Sequence, residues 1–520
     1  MLFWLIGSRW GLSTVSHRHG LLAAAALALS GCALFGRPAF QLQTCKIEGV
    51  PEPLLCGSLP VPEDRSDAAS RKIPLKIVVV PAKGEKTLPP LYDLPGGPGI
   101  SETASARFWA GEGAIYRAHR DIVLVDQRGT GGSNPLDCPV KFYDPFVPVL
   151  APEIVRECRT QLGAKADLSL YTTRAAVEDL EQVRAALRHD KIDLSGLSYG
   201  TRLVQEYVRA YRPHVRAIAM LGTLTPAEKL PLSFSANAQA VLDRLAEQCA
   251  ADARCHRAID DLAGDVKAIR NTLAGGPISV QRPDGRKVPL EPGPFWEAVR
   301  GQLVSTTSQR KLPWLLHRAA YGNFDPILEA MNATADPGAN GLLLSVSCAE
   351  DTMRIMPEEI ATLSTSVFGS YRVQRQIAAC RIWNVPQIEI PRNGYLVSDV
   401  PALLMAGDMD ATTPVDWAQK VASHLPNARV VVVPNLGHAP DGLTHMECYD
   451  RIIAEFFAAG SAKDLDIGCV KSMQPPAFDV PKVAEKASGK ASAHKPASKA
   501  KALKKSAKKA RHKKHQKRAH

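Results

Sequence analysis

The sequence contains no C-x-x-C pair, and no close Cys/His ligand pairing stands out. Zinc-type and iron–sulfur-type sites therefore have no evident ligands, and no metal or cofactor is expected. Near the start there is also no apolar run of bilayer-spanning length. LLAAAALAL (Leu21 to Leu29) has the length of a signal-peptide core, not of a membrane helix. An evenly spread basic surface is missing too. The formal net charge is +12, but residues 481–520 hold fifteen Lys/Arg and one acid, Glu485. That net of +14 leaves −2 for everything else. The body is nearly neutral, which excludes the electrostatic footprint of a nucleic-acid binder.

What is present suits a folded, exported protein. With 520 residues, 45% of them hydrophobic, the chain can bury a sizeable core as one large domain with an insertion or as two domains. Basic residues Arg9 and Arg18 precede the apolar stretch, which ends in Leu29-Ser30-Gly31-Cys32. This ending resembles a bacterial lipobox, with Cys32 as the lipidation site and residues 1–32 as signal peptide. Ala33, and not Asp, follows Cys32, which leans towards an outer membrane over inner-membrane retention. An anchored location in the cell envelope follows as an expectation. Eleven cysteines are an odd number for an exported chain. Setting Cys32 aside leaves ten, which fall into neighbours: Cys45/Cys56, Cys138/Cys158, Cys249/Cys255, Cys348/Cys380 and Cys448/Cys469. Five local disulfides would suit an oxidising compartment.

Continuous apolar runs end in Gly- or Pro-containing turns. They are residues 75–82, 91–97, 121–129, 191–196, 215–222, 401–408 and 428–435. Such runs suit strands buried on both faces of a mostly parallel sheet. AAVEDLEQVRAALRH (175–189) carries Val177, Leu180, Val183 and Leu187 at helical spacing. Alternating strands and helices predict an α/β fold. The regularity breaks between two core strands, so residues 226–400 read as an inserted, mainly helical cap. The core then comprises 33–225 and 401–470. Residues 471–520 are Lys/Ala-rich, have almost nothing to bury, and read as a disordered tail.

GLSYG (196–200) stands directly between a predicted strand and a predicted helix, the context of a nucleophile elbow with Ser198 at its apex. Ser195 lies on the strand side and reads as structural. A serine hydroxyl needs a base, and in this arrangement an acid and then a histidine follow in chain order. PALLMAGDMDATTP offers Asp410, further into the loop than its rival Asp408. ARVVVVPNLGHAP offers His438, with His445 as the nearest alternative. Developing negative charge needs donors. The backbone N–H of Tyr199 is one, and the GGPG loop after residues 91–94 supplies another, assigned to Gly97.

Together, LPGGPG, DQRGTGGS (126–133), GLSYGTRL (196–203), SCAED (347–351), GDMDATTP (407–414) and Gly437-His438 resemble the prolyl aminopeptidase and tripeptidyl aminopeptidase-like group of α/β-hydrolases. The resemblance runs from about Cys45 to Cys469 and maps the triad onto Ser198, Asp410 and His438. Pro95 stands where many prolyl aminopeptidases have His, and the cap looks closer to the tripeptidyl members. The resemblance implies a serine exopeptidase acting near peptide N-termini, with peptide as substrate. Glu350 and Asp351 are candidates to hold the substrate ammonium, or else a structural pair. Asp126 and Arg128 read as a structural ion pair. An esterase with the same triad is the alternative. An inactive envelope-binding lipoprotein is a third reading, which a complete triad and oxyanion loop oppose. The tail suits an anionic envelope polymer or lipid, the lipid anchor suits a membrane, and no nucleic acid is expected.

Overall fold

The computed structural model describes residues 40–139, 142–282, 285–332, 338–389 and 394–481. The expected signal segment with Cys32, and the tail from residue 482, lie outside the described residues.

The apolar runs become strands because nothing along them has to face water. All four residues of Ile122–Val125 and all six of Ala402–Gly407 are buried, without alternation. In chain order the strands are β1 (Gln43–Cys45), β2 (Leu54–Pro62), β3 (Lys72–Val80), β4 (Leu91–Leu94), β5 (Ile122–Val125), β6 (Ile192–Leu197), β7 (Val215–Leu221), β8 (Ile278–Gln281), β9 (Lys287–Leu290), β10 (Ala402–Gly407) and β11 (Ala428–Val433). One nine-stranded sheet runs β1-β2-β3-β5-β4-β6-β7-β10-β11, and β8 and β9 form a separate hairpin. The six strands from β5 to β11 across the sheet are parallel, while β1, β2 and β3 form an antiparallel edge that meets β5 antiparallel. This is the expected α/β-hydrolase architecture with a mostly parallel sheet.

All seven predicted runs lie in the sheet, whereas β1 and β2 were not anticipated. LLCGSLPVP in β2 carries Pro60, Pro62 and Gly57, which argue against a central strand. The strand forms near the sheet edge, with Pro60 opposite Pro74.

Two helices matter for the site. α1 (Thr173–Ala186) starts where the Thr172 hydroxyl accepts the Ala175 N–H at 3.2 Å. α2 (Tyr199–Tyr211) leaves β6 directly after Ser198. Asp193, wholly buried at the start of β6, is held by Arg120 and by Arg216 Nε at 3.0 Å. Removing Asp193 would leave the buried Arg120 guanidinium uncompensated, at a cost of about 3–5 kcal/mol.

The chain between β7 and β10 is largely helical. It includes α3 (Phe234–Ala251), α4 (Leu262–Ala274), α5 (Pro292–Gln302), α6 (Thr306–Ala320), α7 (Asn340–Glu350) and α8 (Tyr371–Trp383). Its apolar core takes in Leu245, Ile269, Phe295 and Leu316, joined by Met409 from the loop after β10 and by Phe478 and Val480. The last two correct the expectation that the tail begins at residue 471. Phe478 lies under the Arg310 guanidinium at 4.5 Å, and Asp479 N–H donates to the Arg310 carbonyl at 3.0 Å. Apolar Phe478 and Val480 were obscured by the Lys/Ala-rich sequence that follows them.

The ten described cysteines pair as neighbours: Cys45–Cys56, Cys138–Cys158, Cys249–Cys255, Cys348–Cys380 and Cys448–Cys469. α9 (Val415–Ala422) and α10 (Met446–Ala459) complete the core, the latter burying Ile452, Ile453, Phe456 and Phe457.

Candidate active site

Ser198 occupies the turn between β6 and α2 with φ 55° and ψ −119°, a left-handed backbone that a residue with a side chain adopts only under strain. The turn is held by three hydrogen bonds. Ser198 N–H donates to Leu221 O on β7 at 2.8 Å, and Thr201 N–H donates to Ser198 O at 2.9 Å. The Thr201 hydroxyl also donates to Ser198 O, at 2.6 Å. The motif glycines are there for contact. A Cβ on Gly200 would lie 2.1 Å from Leu94 O, and one on Gly196 would lie 2.6 Å from Gly200 O. Only bare α-carbons let α2 start this close to β4 and β6.

His438 follows β11, and Asp410 follows β10. Asp410 Oδ2 lies 2.8 Å from His438 Nδ1. Its other oxygen accepts the N–H groups of Thr412 and Thr413 at 2.7 and 2.8 Å. The Thr413 hydroxyl donates to Asp410 Oδ2 at 2.6 Å and stands 3.0 Å from His438 Nδ1. A carboxylate held by three donors can orient an imidazole and stabilise its charged form. Asp408 points elsewhere, accepting Asn435 N–H at 2.6 Å and pairing with Arg244 at 3.1 Å. His445 is exposed and pairs with Glu447 at 2.9 Å.

Gly222, directly after β7, joins the two halves. A Cβ there would lie 3.3 Å from His438 Cε1, while its neighbour Leu221 accepts the Ser198 N–H. The imidazole edge thus stands at the strand end that holds the serine. On the opposite side the GGPG loop arrives from β4. A Cβ on Gly96 would lie 3.2 Å from Ser198 Cβ and 3.8 Å from its Oγ. Gly97, at φ 109°, is the next residue of this loop, and Tyr199 is the first residue of α2. Serine, histidine, acid and both proposed donor segments therefore converge on one end of the sheet.

Asp126 and Arg128 do not pair with each other. Asp126, fully buried, accepts from Ser101 Oγ, Thr103 N and Gly132 N, each at 2.8 Å, and from Thr103 Oγ1 at 3.0 Å. It thereby fastens the end of the GGPG loop. The Arg128 guanidinium instead grips Asp179 on α1, at 2.6 and 2.8 Å. That partner lies 51 residues away, and local pattern gave no signal for it.

Glu350 and Asp351 are also occupied. Glu350 is wholly buried; Oε1 accepts Thr173 N–H and Oε2 accepts the Thr173 hydroxyl, both at 2.7 Å. Asp351, 2% exposed, pairs with Arg202 at 2.8 Å. Burial works against the Arg202 charge, but Asp351 and Glu350 more than offset it and raise its pKa. A groove of about 700 Å³ between α1 and α2 is lined in part by both acids, each of them buried. Both carboxylates are already engaged by Thr173 and Arg202, as the structural-pair reading has it, and Ser198 and His438 do not line that groove. Thr413 and Thr173 are the site's unanticipated members. Thr413 lies within the GDMDATTP stretch, so that motif carried its signal.

Among known proteins, the alpha/beta hydrolase fold model matches residues 89–440. The tripeptidyl aminopeptidase of Streptomyces coelicolor is 25% identical over 475 residues, covering 82% of this chain and 85% of its own. Serine protease Hip1 of Mycobacterium tuberculosis is 22% identical over 480 residues, covering 81% and 88%. Among solved structures, the proline iminopeptidase of Mycobacterium smegmatis is 17% identical, with a TM-score of 0.39, covering 78% of this chain and 98% of its own.

Proposed function

The chain belongs to the alpha/beta hydrolase fold family, and from that premise we propose that it is a serine exopeptidase releasing residues or short peptides from peptide N-termini. The observation that carries this reading is the Asp410–His438 pair beside the strained Ser198 turn. Likeness to a tripeptidyl aminopeptidase along 82% of the chain supports the peptide substrate.

In this reading Ser198 Oγ attacks the scissile carbonyl while His438 takes its proton. Nδ1 of His438 faces Asp410, so Nε2 is the nitrogen left for the serine. The N–H groups of Tyr199 and Gly97 receive the oxyanion. The intermediate collapses, His438 returns the proton to the departing amine, and an acyl-enzyme on Ser198 remains. Water, deprotonated by His438, then releases the product. The cap, which reaches this end of the sheet where Ala339 N–H donates to Gly99 O and Thr306 Oγ1 accepts Gly437 N–H, selects the substrate.

Five disulfides support export to an oxidising compartment. Envelope anchoring through Cys32, and binding of anionic envelope polymer or lipid by the tail, complete the proposal.

A fluorophosphonate probe and a panel of aminoacyl amides, tripeptidyl amides and short esters test the chemistry. The expected result is labelling that Ser198→Ala abolishes, with amides bearing a free N-terminus turned over best. Labelling that persists in Ser198→Ala removes the nucleophile, and turnover confined to esters replaces the peptidase reading with an esterase.

A further inference from the structure

We propose that Glu350 is a positioning residue for the oxyanion hole, acting through Thr173 on Tyr199. The inference rests on the reading of Ser198 as nucleophile and Tyr199 N–H as oxyanion donor.

Proton bookkeeping gives the chain its direction. A threonine hydroxyl has one proton. Thr173 gives that proton to Glu350 Oε2 at 2.7 Å. Its oxygen is then an acceptor for the Tyr199 hydroxyl, 2.9 Å away. The Tyr199 oxygen in turn accepts from Gln127 Nε2 at 3.3 Å. Gln127, Tyr199, Thr173 and Glu350 thus form a one-way series, and the carboxylate at its end fixes the sense. Glu350 Oε1 takes Thr173 N–H, so both its oxygens hold the first residue of α1. Tyr199 is only 1% exposed, and its phenol is held protonated first by burial and then by the Glu350 charge. The ring is therefore pinned at both ends: by its hydroxyl to α1, and by its backbone to the turn that carries Ser198.

The same cap helix touches the other side of the hole. Ala339, immediately before α7, donates its N–H to Gly99 O of the GGPG loop at 2.8 Å. Glu350 is the last residue of that helix. Within the cap, Cys348 is bridged to Cys380 on α8, and Ser345 Oγ accepts from Trp383 Nε1 at 3.0 Å. One rigid helix thus connects the interior of the cap to both segments that supply donors. A small misplacement of such donors is costly, because they act only where charge develops in the transition state.

Glu350→Gln keeps the shape but places an amide N–H₂ where an acceptor is required. Thr173→Val removes the relay hydroxyl, and Tyr199→Phe removes its target. The full-length protein and these variants are compared by melting temperature, by fluorophosphonate labelling rate, and by kcat and KM on a short p-nitrophenyl ester. We expect Glu350→Gln to lower the labelling rate and kcat about tenfold, with KM within about twofold of wild type. Thr173→Val should lose a similar amount. Combining Glu350→Gln with Tyr199→Phe should cost no more than Tyr199→Phe alone, since both act on one path. Wild-type rates in a folded Glu350→Gln overturn the proposal, as do losses that multiply in the double variant or an effect on KM alone. Should Glu350→Gln not fold, Thr173→Val against Tyr199→Phe gives the same cycle. A protein that labels but cleaves no peptide loses the exopeptidase reading and keeps this one. A wild type that never labels overturns both.

Discussion

Asp410 meets His438 through a single oxygen, Oδ2, 2.8 Å from Nδ1, and spends the other on the N–H groups of Thr412 and Thr413. The neighbouring Asp408 is engaged with Asn435 and Arg244. Replacing Asp410 by Asn should therefore lower kcat by about 10⁴, because the wrong imidazole tautomer is favoured. Asp408→Asn should keep most of the activity and lose stability only. Steady-state kinetics of the two variants beside their melting curves check this, and equal activity losses would count against Asp410 as the orienting acid.

Gly200→Ala should cost far more than its one methyl group suggests. The added carbon would lie 2.1 Å from Leu94 O, which belongs to backbone and cannot swing aside. Either α2 shifts or the strand before the GGPG loop does. Overpacking of this kind costs about 1–3 kcal/mol or more, and the shift would fall directly on Ser198. The expected result is a lowered melting temperature together with loss of fluorophosphonate labelling in the fraction that remains folded.

His189 makes stability depend on pH. Burial lowers its pKa to about 4 from the ordinary value of 6.5, and Tyr92 OH lies 2.8 Å from its Nδ1. The folded protein holds the ring neutral, whereas the unfolded chain protonates it near pH 6.5. Between those values the unfolded state binds more protons, so stability falls as pH drops from about 6.5 towards 4. His189→Asn should flatten that part of the curve. Thermal melts of both proteins at pH 7 and pH 5 measure the difference, and an unchanged slope would show that other groups set it.

Cys348, two residues before Glu350, and Cys380 close a loop with a sequence separation of 32 residues. Replacing both by Ala should destabilise the protein by about 3–4 kcal/mol on the chain-entropy estimate. Chemical denaturation measures this directly. If α7 also steadies the oxyanion donors, kcat should fall while KM stays near its original value.

The sheet could be read from sequence where burial was complete. Runs such as IVLV and ALLMAG have no polar face, so strand was the natural reading. β2 escaped because an edge position tolerates Pro60 and Pro62, which a central strand would not. Ser198, Asp410 and His438 were legible because each stands at a strand end in fixed chain order. The supports of the site were not. Arg128 finds Asp179, and Glu350 finds Thr173 across 177 residues, through packing that brings α1 against the cap. For the same reason Glu350 and Asp351 suggested an ammonium anchor. A string of letters shows two carboxylates side by side, but not the threonine and arginine that occupy them.

The described chain finishes on the insertion and not on the sheet, with Phe478 under Arg310 and Asp479 tied to the same residue's carbonyl. This attachment has a mechanical meaning. Traction on anything joined beyond residue 481, whether a gripped surface or a fused handle, reaches α6 before it reaches the catalytic core. Shortening the protein to residue 470 would remove that strap and expose the underside of the cap, whereas shortening it to 481 would leave the strap fastened.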